Sequence, residues 1–303
     1  MTDIEIPHIP VLFDEVIDTF KDCDDGYIID CTLGYGGHSE GLLQNNPNIK
    51  LIGNDQDDEA LEFSKVRLEQ FKDRVIFHKG NFDSVVPYFH DHKISGILAD
   101  IGVSSLQLDN SNRGFGFESE VLDMRMNQQQ SLSAKDVVNN YSQSELEYIF
   151  KEYGEVREYK KVASIILENR PFDSAKDLAQ LLKSKMYKGK LHPATLPFQA
   201  IRIEVNNELG VLKDLFDSIE NQDLSNCVVA IISFHSLEDR IVKNYFKKWT
   251  KKCICPDYVD RCECGNNHQK GKVVTKKPII PTKEEIKINA RSRSSKLRIF
   301  KFD

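Results

Sequence analysis

A glycine-rich stretch from Tyr27 to His38 constrains the fold of this chain most strongly. It begins with a β-branched run that ends at Asp30, passes through three glycines between Gly34 and Gly37, and then becomes compatible with a helix. A strand, a tight glycine turn and a helix in this order place bare backbone at the carboxyl end of a parallel strand, where nucleotide-like ligands bind. The stretch therefore predicts a parallel α/β sheet of the doubly wound kind.

The spacing of these glycines indicates which ligand the turn accommodates. A dinucleotide fingerprint reads G-x-G-x-x-G, but Ser39 stands where its third glycine would be, which disfavours a dinucleotide oxidoreductase. The crowded G-x-G-G pattern suits S-adenosylmethionine (SAM), which has no pyrophosphate to bind at the helix end. An ordinary flexible turn is the alternative.

The second and fourth predicted strands also end at acidic residues, Asp55 and Asp100. Because the carboxyl ends of parallel strands share one edge of a sheet, these two residues and Asp30 are predicted to form a row of carboxyl groups there. Asp55 is placed to hold a ribose diol, and a helix N-cap is its alternative role. Phe82, at the exit of the third strand, faces either an adenine ring or the core.

The alternation of strands and helices stops after about residue 109. Helix start signals follow, as at Ser142, where Glu145 stands at capping-box spacing, and a buried strand pattern resumes only at Asn226. The final strands are predicted to form a terminal hairpin. We therefore predict a first part of the sheet domain, a helical insertion, and a second part with a basic tail, at residues 1–108, 109–210 and 211–303.

Charge is distributed unevenly along the chain, whose net charge is −6. Between Arg240 and Asp303 there are 18 Lys or Arg and 6 Asp or Glu, so this tail carries +12 and the remainder −18. Such a tail is either a solvated surface or the footprint of a phosphate backbone. No apolar run is long enough to span a bilayer and no signal-like region begins the chain, so we expect a soluble, cytoplasmic protein.

Three of the seven cysteines stand alone and are interpreted as core thiols, whereas four form a C-x-C-x6-C-x-C arrangement with His268 nearby. Four thiolates can close a tetrahedral zinc site, but C-x-C spacing is less diagnostic than C-x-x-C. Free thiols in a basic loop are the alternative, and no metal is assigned. The four residues are Cys253, Cys255, Cys262 and Cys264.

Eleven motifs, in order along nearly the whole chain, closely resemble those of the RsmH (MraW) family of SAM-dependent methyltransferases, which act on an exocyclic cytosine amine of bacterial 16S ribosomal RNA. They are His8-x-Pro-Val-Leu, Asp30-x-Thr-Leu-Gly-x-Gly-Gly-His38, Asp100-x-Gly-Val-Ser-Ser, Arg113-Gly-Phe, Leu122-Asp-Met-Arg-Met126, Tyr153-Gly-Glu, His192-Pro-Ala-Thr, Phe198-Gln-Ala-x-Arg-Ile, Asn206-x-Glu-Leu, Ser233-Phe-His-Ser-Leu-Glu-Asp-Arg240 and Arg291-Ser-Arg-Ser.

The resemblance implies a class I, Rossmann-like SAM-dependent methyltransferase sheet with an inserted all-helical domain, and it implies that this insertion recognises the substrate. It implies N4-methylation of a specific cytidine in the decoding region of 16S ribosomal RNA, within the small ribosomal subunit and without a membrane partner. The oligomeric state stays open, with a homodimer as one alternative. SAM contacts are implied at Gly36, Gly37, His38, Asp55, Phe82, Asp100 and Gln107.

The target amine is a poor nucleophile because its lone pair is delocalised into the ring. The segment after the fourth strand reads Asp100-Ile-Gly-Val, without the proline motif that many DNA amino-methyltransferases place there. We therefore predict Asp100 as the catalytic residue that positions the methyl donor and the amine. Ser104, Ser105 or His235 would supply further polar contacts.

For the RNA, Arg113 and Phe115 offer planes on which a splayed-out base can stack, and a packed hinge is their alternative role. Two other functions stay open: a methyltransferase for small molecules, and an RNA-binding assembly factor that has lost catalysis. The long insertion and the basic tail disfavour the small-molecule methyltransferase, and the intact glycine and acidic motifs disfavour the inactive assembly factor.

Within the basic tail, contacts with RNA phosphates are predicted for Arg291, Arg293, Lys296 and Arg298.

Overall fold

The computed structural model describes residues 10–23, 25–186, 191–256 and 258–303, with the backbone alone at positions 105 and 106. The chain forms two compact units. The first, which we call the sheet unit, contains the described residues up to Gly102 together with Val211–Asp303. The second, the helical unit, is Val103–Gly210.

The sheet unit is built on a seven-stranded sheet with the strand order β3-β2-β1-β4-β5-β7-β6. Strands β1 to β5 are parallel to one another, whereas β7 is antiparallel to both β5 and β6, so the predicted terminal hairpin is confirmed. The strands are β1 (Tyr27–Asp30), β2 (Lys50–Asp55), β3 (Val75–Lys79), β4 (Ile94–Asp100), β5 (Val228–Ser233), β6 (Gly271–Val273) and β7 (Lys296–Phe302).

Helices connect the parallel strands, and turns and loops join these elements. Short 3-10 helices cover Glu69–Arg74 and Ala290–Ser294. The α-helices are α1 (Phe13–Phe20), α2 (Gly37–Asn45), α3 (Asp58–Arg67), α4 (Phe82–Tyr88), α5 (Ser105–Asp109), α6 (Ala134–Asn140), α7 (Gln143–Glu152), α8 (Tyr159–Glu168), α9 (Ala175–Lys185), α10 (Thr195–Asn206), α11 (Glu208–Glu220), α12 (Ser236–Trp249) and α13 (Lys283–Ile288).

Apolar side chains recur at helical spacing within residues 8–20, a pattern that predicts an amphipathic helix, but the first helix is shorter than this stretch. It begins at Phe13, because Leu12 adopts a left-handed φ of 53° that cannot continue a helix. The Leu12 N–H instead donates a hydrogen bond to Glu285 Oε1 at 2.8 Å. Positions 8 and 9 lie outside the described residues, whereas Val16 and Phe20 are buried as the pattern predicts.

Two apolar clusters flank the sheet, because successive side chains of a strand point to opposite faces. Ile28 and Leu98 belong to one cluster, and their neighbours Ile29 and Ile97 belong to the other, together with Trp249. Strands buried on both faces leave the ends of the strands as the place for polar chemistry.

The helical unit has an apolar core of its own, which includes Phe150, Leu178 and Phe198. Among its described residues there are helices but no β-strands. The predicted capping box at the start of α7 is present, because Ser142 and Glu145 each accept the backbone N–H of the other. An α/β fold with an inserted all-helical domain is thus confirmed.

Candidate active site

The strand order reverses at β1, which lies between β2 and β4. In open α/β sheets the crevice outside the carboxyl ends of the strands at such a reversal binds the ligand. Asp30 ends β1, Asp55 ends β2 and Asp100 ends β4. The predicted row of carboxyl groups along one edge of the sheet is therefore confirmed, and it lies where a ligand is expected.

Side chains from two other elements hold the backbone of the glycine turn. The Gly34 N–H donates to Asp55 Oδ2 at 2.8 Å, and Ser64 Oγ donates to the Gly34 carbonyl oxygen at 2.7 Å. Gly34 has a φ of 51°, a region that favours glycine. Among the described residues, a Cβ at this position would meet no atom closer than the Thr32 carbonyl oxygen at 3.9 Å. The space above Gly34 is therefore open to a ligand.

The next two glycines allow close packing within the protein. A Cβ on Gly37 would lie 2.5 Å from Pro10 Cγ, and one on Gly36 would lie 3.1 Å from Ser64 Oγ. Close packing at Gly37 and a left-handed φ of 71° at Gly36 therefore account for these two glycines without a ligand. Contact between their backbone and SAM stays a prediction.

Asp55 has a second task beside the glycine turn, because its Oδ1 accepts the Asp57 N–H at 2.9 Å. The N-cap of α3 is Asp57, which accepts the Glu59 N–H at 3.1 Å, so the helix-cap alternative for Asp55 is wrong. Burial raises the pKa of Asp55 to about 6. The backbone N–H of Gln56 also bonds to this carboxyl group. Because a carboxylate has about four lone-pair sites, Asp55 can still accept one ribose hydroxyl after these bonds.

Asp30 is the structural member of the row. It is only 2% exposed, and its Oδ2 accepts a hydrogen bond from Ser39 Oγ at 2.6 Å. Burial raises its pKa to about 6. The neighbouring Thr32 Oγ1 accepts the Asp100 N–H at 2.7 Å, which ties the ends of β1 and β4 together.

Asp100 differs from the other two carboxyl groups. Burial, together with the charges of Asp30 and Glu238, raises its pKa to about 8. Its Oδ1 is buried and has no hydrogen-bond partner among the described residues, although 26% of the side chain remains exposed. An unsatisfied, desolvated carboxyl oxygen favours a ligand that carries positive charge or donates hydrogen bonds.

His38 lies beside Asp100 and is held in one orientation. Its Nε2 is 2.9 Å from the Val11 carbonyl oxygen, which can only accept, so Nε2 is assigned the hydrogen. Burial lowers the pKa of His38 to about 4, so the ring is neutral at pH 7. Nδ1 is then an acceptor 4.0 Å from Asp100 Oδ2. Once Asp100 is ionised, these two adjacent acceptors suit a ligand group that carries positive charge.

Sequence reasoning missed two residues that shape this edge, Ser64 and Asn54. The Asn54 side-chain amide donates to the Cys31 carbonyl oxygen at 2.9 Å and to the Gly80 carbonyl oxygen at 3.1 Å, which links the segments after β1 and β3. Its position directly before Asp55 was an available signal. Ser64 carries no local signal, because its partner Gly34 is far away in the sequence.

The remaining predicted contacts have the following positions. Phe82 begins α4 and packs partly against the cluster that contains Trp249. Gln107 belongs to the helical unit, where its side-chain oxygen accepts the Ser104 N–H at 3.1 Å. His235 is the N-cap of α12, a structural role. The side chain at position 105 lies outside the described atoms.

The basic and aromatic residues proposed for RNA binding separate into two groups. Arg113 is 4% exposed and donates to the carbonyl oxygens of Arg125 and Met126, and Phe115 lies in the core of the helical unit. These contacts favour the packed hinge over a stacking platform. Lys296 and Arg298 both pair with Asp239, which disfavours phosphate binding by these two residues. Arg291 and Arg293 are exposed.

Within the part of the chain that the structure describes, no helix is long and apolar enough to cross a membrane. Residues 5–303 match the MraW methylase family. Among curated proteins, the chain is 73% identical over 300 residues to "Ribosomal RNA small subunit methyltransferase H" of Aliarcobacter butzleri, covering 99% of this chain and 100% of that protein.

A protein of the same name from Wolinella succinogenes is 55% identical over 303 residues, and 99% of each chain is covered. Among solved structures, an rRNA methylase from Streptococcus thermophilus matches with a TM-score of 0.45 and 9% identity over 97% of this chain and 98% of that one, which is too weak for a detailed comparison. The family match and the near-complete coverage of the relatives identify the chain as a member of the MraW methylase family, a methyltransferase that takes its methyl group from SAM.

Proposed function

We propose that this protein methylates the N4 amine of a specific cytidine in the decoding region of 16S ribosomal RNA, within the small ribosomal subunit. The observation that carries the proposal is Asp100, an unsatisfied carboxyl group at the switch point of the sheet, with a pKa of about 8. The names of the relatives support a ribosomal RNA substrate. The cytidine and its nitrogen are implied by the sequence resemblance.

SAM, when bound, supplies an electrophilic methyl group on a positively charged sulfur. In the proposal, Asp55 accepts hydrogen bonds from its ribose, and the backbone near Gly34 lies against its nucleoside. His38 and Asp100 face its positive charge. Gly36, Gly37, Phe82 and Gln107 complete the predicted contact set.

Asp100 has the main chemical role in this proposal. When ionised, its carboxylate accepts a hydrogen bond from the cytosine amine, so that the nitrogen lone pair can turn out of the ring plane toward the methyl carbon. A bond between the amine nitrogen and the methyl carbon would then form as the bond between that carbon and sulfur breaks. The electron pair of the broken carbon–sulfur bond would stay on sulfur. The nitrogen afterwards loses one proton, for which Asp100 or water is the acceptor.

Alignment of the two reactants contributes the rest. Holding an amine and a methyl donor in line can supply about 7–11 kcal/mol of the barrier reduction. The short bonds that fix Gly34, Asp55 and Thr32 give the donor side of the site the rigidity that such alignment needs.

The test is a methylation assay with labelled SAM on small ribosomal subunits from cells that lack this protein. Free 16S ribosomal RNA and cytidine serve as parallel substrates, and the product is mapped by mass spectrometry. We expect one N4-methylcytidine in the decoding region. Methylation of free cytidine would point to a small-molecule enzyme, and a calorimetric titration without SAM binding would point to an assembly factor.

A further inference from the structure

The four cysteines between α12 and β6 converge on one point. The Sγ atoms of Cys253, Cys255, Cys262 and Cys264 all lie within 4.8 Å of one another. Those of Cys262 and Cys264 are 3.5 Å apart, and those of Cys264 and Cys253 are 3.7 Å apart. In a tetrahedral site with zinc–sulfur bonds of about 2.3 Å, the sulfurs are about 3.8 Å apart. The cluster therefore has the dimensions of a tetrathiolate zinc site.

Backbone N–H groups are directed at these sulfur atoms. The Ile254 N–H donates to Cys264 Sγ at 3.4 Å, and the Glu263 N–H donates to Cys255 Sγ at 3.3 Å. Bonds of this kind stabilise sulfur in its anionic form and orient metal ligands. Each C-x-C arm therefore supplies one donor to a sulfur of the opposite arm.

His268 supports the cluster from outside. Its Nε2 lies 2.8 Å from the Cys264 carbonyl oxygen, so the ring holds the second arm through the backbone. The backbone N–H of His268 donates to the Lys252 carbonyl oxygen at 3.0 Å. The backbone N–H of Lys270 donates to the Trp249 carbonyl oxygen at 2.9 Å. These bonds close the two ends of the segment.

Apart from these hydrogen bonds, the segment buries few apolar side chains that could stabilise its conformation. Its large apolar side chains point outward, with Ile254 56% and Tyr258 86% exposed. Small segments that cannot bury a core are usually fixed by a metal or by cross-links. Lys251, Lys252 and Arg261 are exposed in the same segment and would offset the negative charge of four thiolates.

We propose that Cys253, Cys255, Cys262 and Cys264 together bind one zinc ion, and that this ion fixes the loop between α12 and β6. Four sulfur ligands leave no open coordination position, so the ion is structural and takes no part in methyl transfer. A tetrahedral set of four sulfurs selects zinc or iron. Zinc is the choice here, because no redox step belongs to the proposed reaction.

The first test is the metal content of the full-length protein, purified from cells grown with zinc and iron and measured by mass spectrometry. We expect about one zinc per chain and no iron. Cys255→Ser and Cys262→Ser should each lose the zinc. The matched control is Cys23→Ser, which changes a buried thiol outside the cluster and should keep it.

The second test follows the ligands directly. Cobalt added to the reduced, metal-free protein should give the intense absorption of tetrahedral cobalt–thiolate, and zinc should displace it. Metal-free protein without this absorption, iron in place of zinc, or disulfides within the cluster of the freshly purified protein would overturn the proposal. These readouts on the wild-type chain decide the question even where a variant fails to fold.

Discussion

The carboxyl groups at the strand ends and the basic groups of the C-terminal segment show two different uses of charge. Asp100 Oδ1 is buried and has no hydrogen-bond partner in the described part of the chain, whereas the buried Arg298 forms a bidentate ion pair with Asp239. Arg293 is exposed on a short 3-10 helix. A buried charge without a partner is available for chemistry, a buried paired charge serves the fold, and an exposed charge is available to a polyanion.

The largest effect should come from the unsatisfied carboxyl group. Asp100→Ala should lower the rate of methyl transfer by about 100- to 1,000-fold, because the amine loses its acceptor. Asp58→Ala, which removes an exposed acid paired with Lys79, should leave the rate unchanged. The measurement is transfer of labelled methyl groups to small ribosomal subunits.

The pH profile tests the same group. With a pKa near 8 in the free protein, Asp100 is mostly protonated at pH 6 and ionised at pH 9. Because the ionised form is the acceptor, kcat/KM for SAM should rise between these values and then level off. A flat profile, or an Asp100→Ala protein with full activity, would remove Asp100 from the mechanism.

A smaller effect is expected at Asp55, which bonds to the protein backbone and is proposed to accept a hydrogen bond from the donor ribose. Asp55→Ala should weaken SAM binding by about 10- to 100-fold, because hydrogen bonds to a charged group contribute about 1.5–3 kcal/mol. Asp57→Ala removes the cap of α3 but keeps the backbone N–H that bonds to Asp55, so it should leave the affinity unchanged. Calorimetric titration measures both, and equal losses in the two variants would contradict ribose binding by Asp55.

The smallest effects should separate the two arginines. Arg298→Ala should lower the free energy of unfolding by about 1–2 kcal/mol, since Lys296 still pairs with Asp239. Arg293→Ala should leave stability unchanged but reduce the salt dependence of RNA binding by about one unit of slope. Denaturant titrations and binding curves at several salt concentrations test this pair. An unchanged slope would count against phosphate binding by Arg293.

Sequence reasoning succeeded where the signal is local. The strand ends at Asp30, Asp55 and Asp100 follow from short apolar runs and from glycines a few positions away. It failed where the partner is remote. The charge on Arg298 suggests a phosphate until Asp239, 59 positions earlier, is brought beside it. For Arg113 the sequence left stacking and a packed hinge open, because its partners are carbonyl groups that only tertiary packing supplies.

Two hydrogen bonds fix the backbone of Gly34, in the turn that is predicted to contact the methyl donor. Asp55 fixes the backbone amide of Gly34 and Ser64 fixes its carbonyl group, so the glycine turn is rigid before any ligand binds. A preorganised turn loses little conformational entropy when a ligand binds, and it cannot change its shape to accommodate a ligand that does not match it. Discrimination among nucleosides at this point should therefore come from exclusion of the wrong shape rather than from closure around the right one.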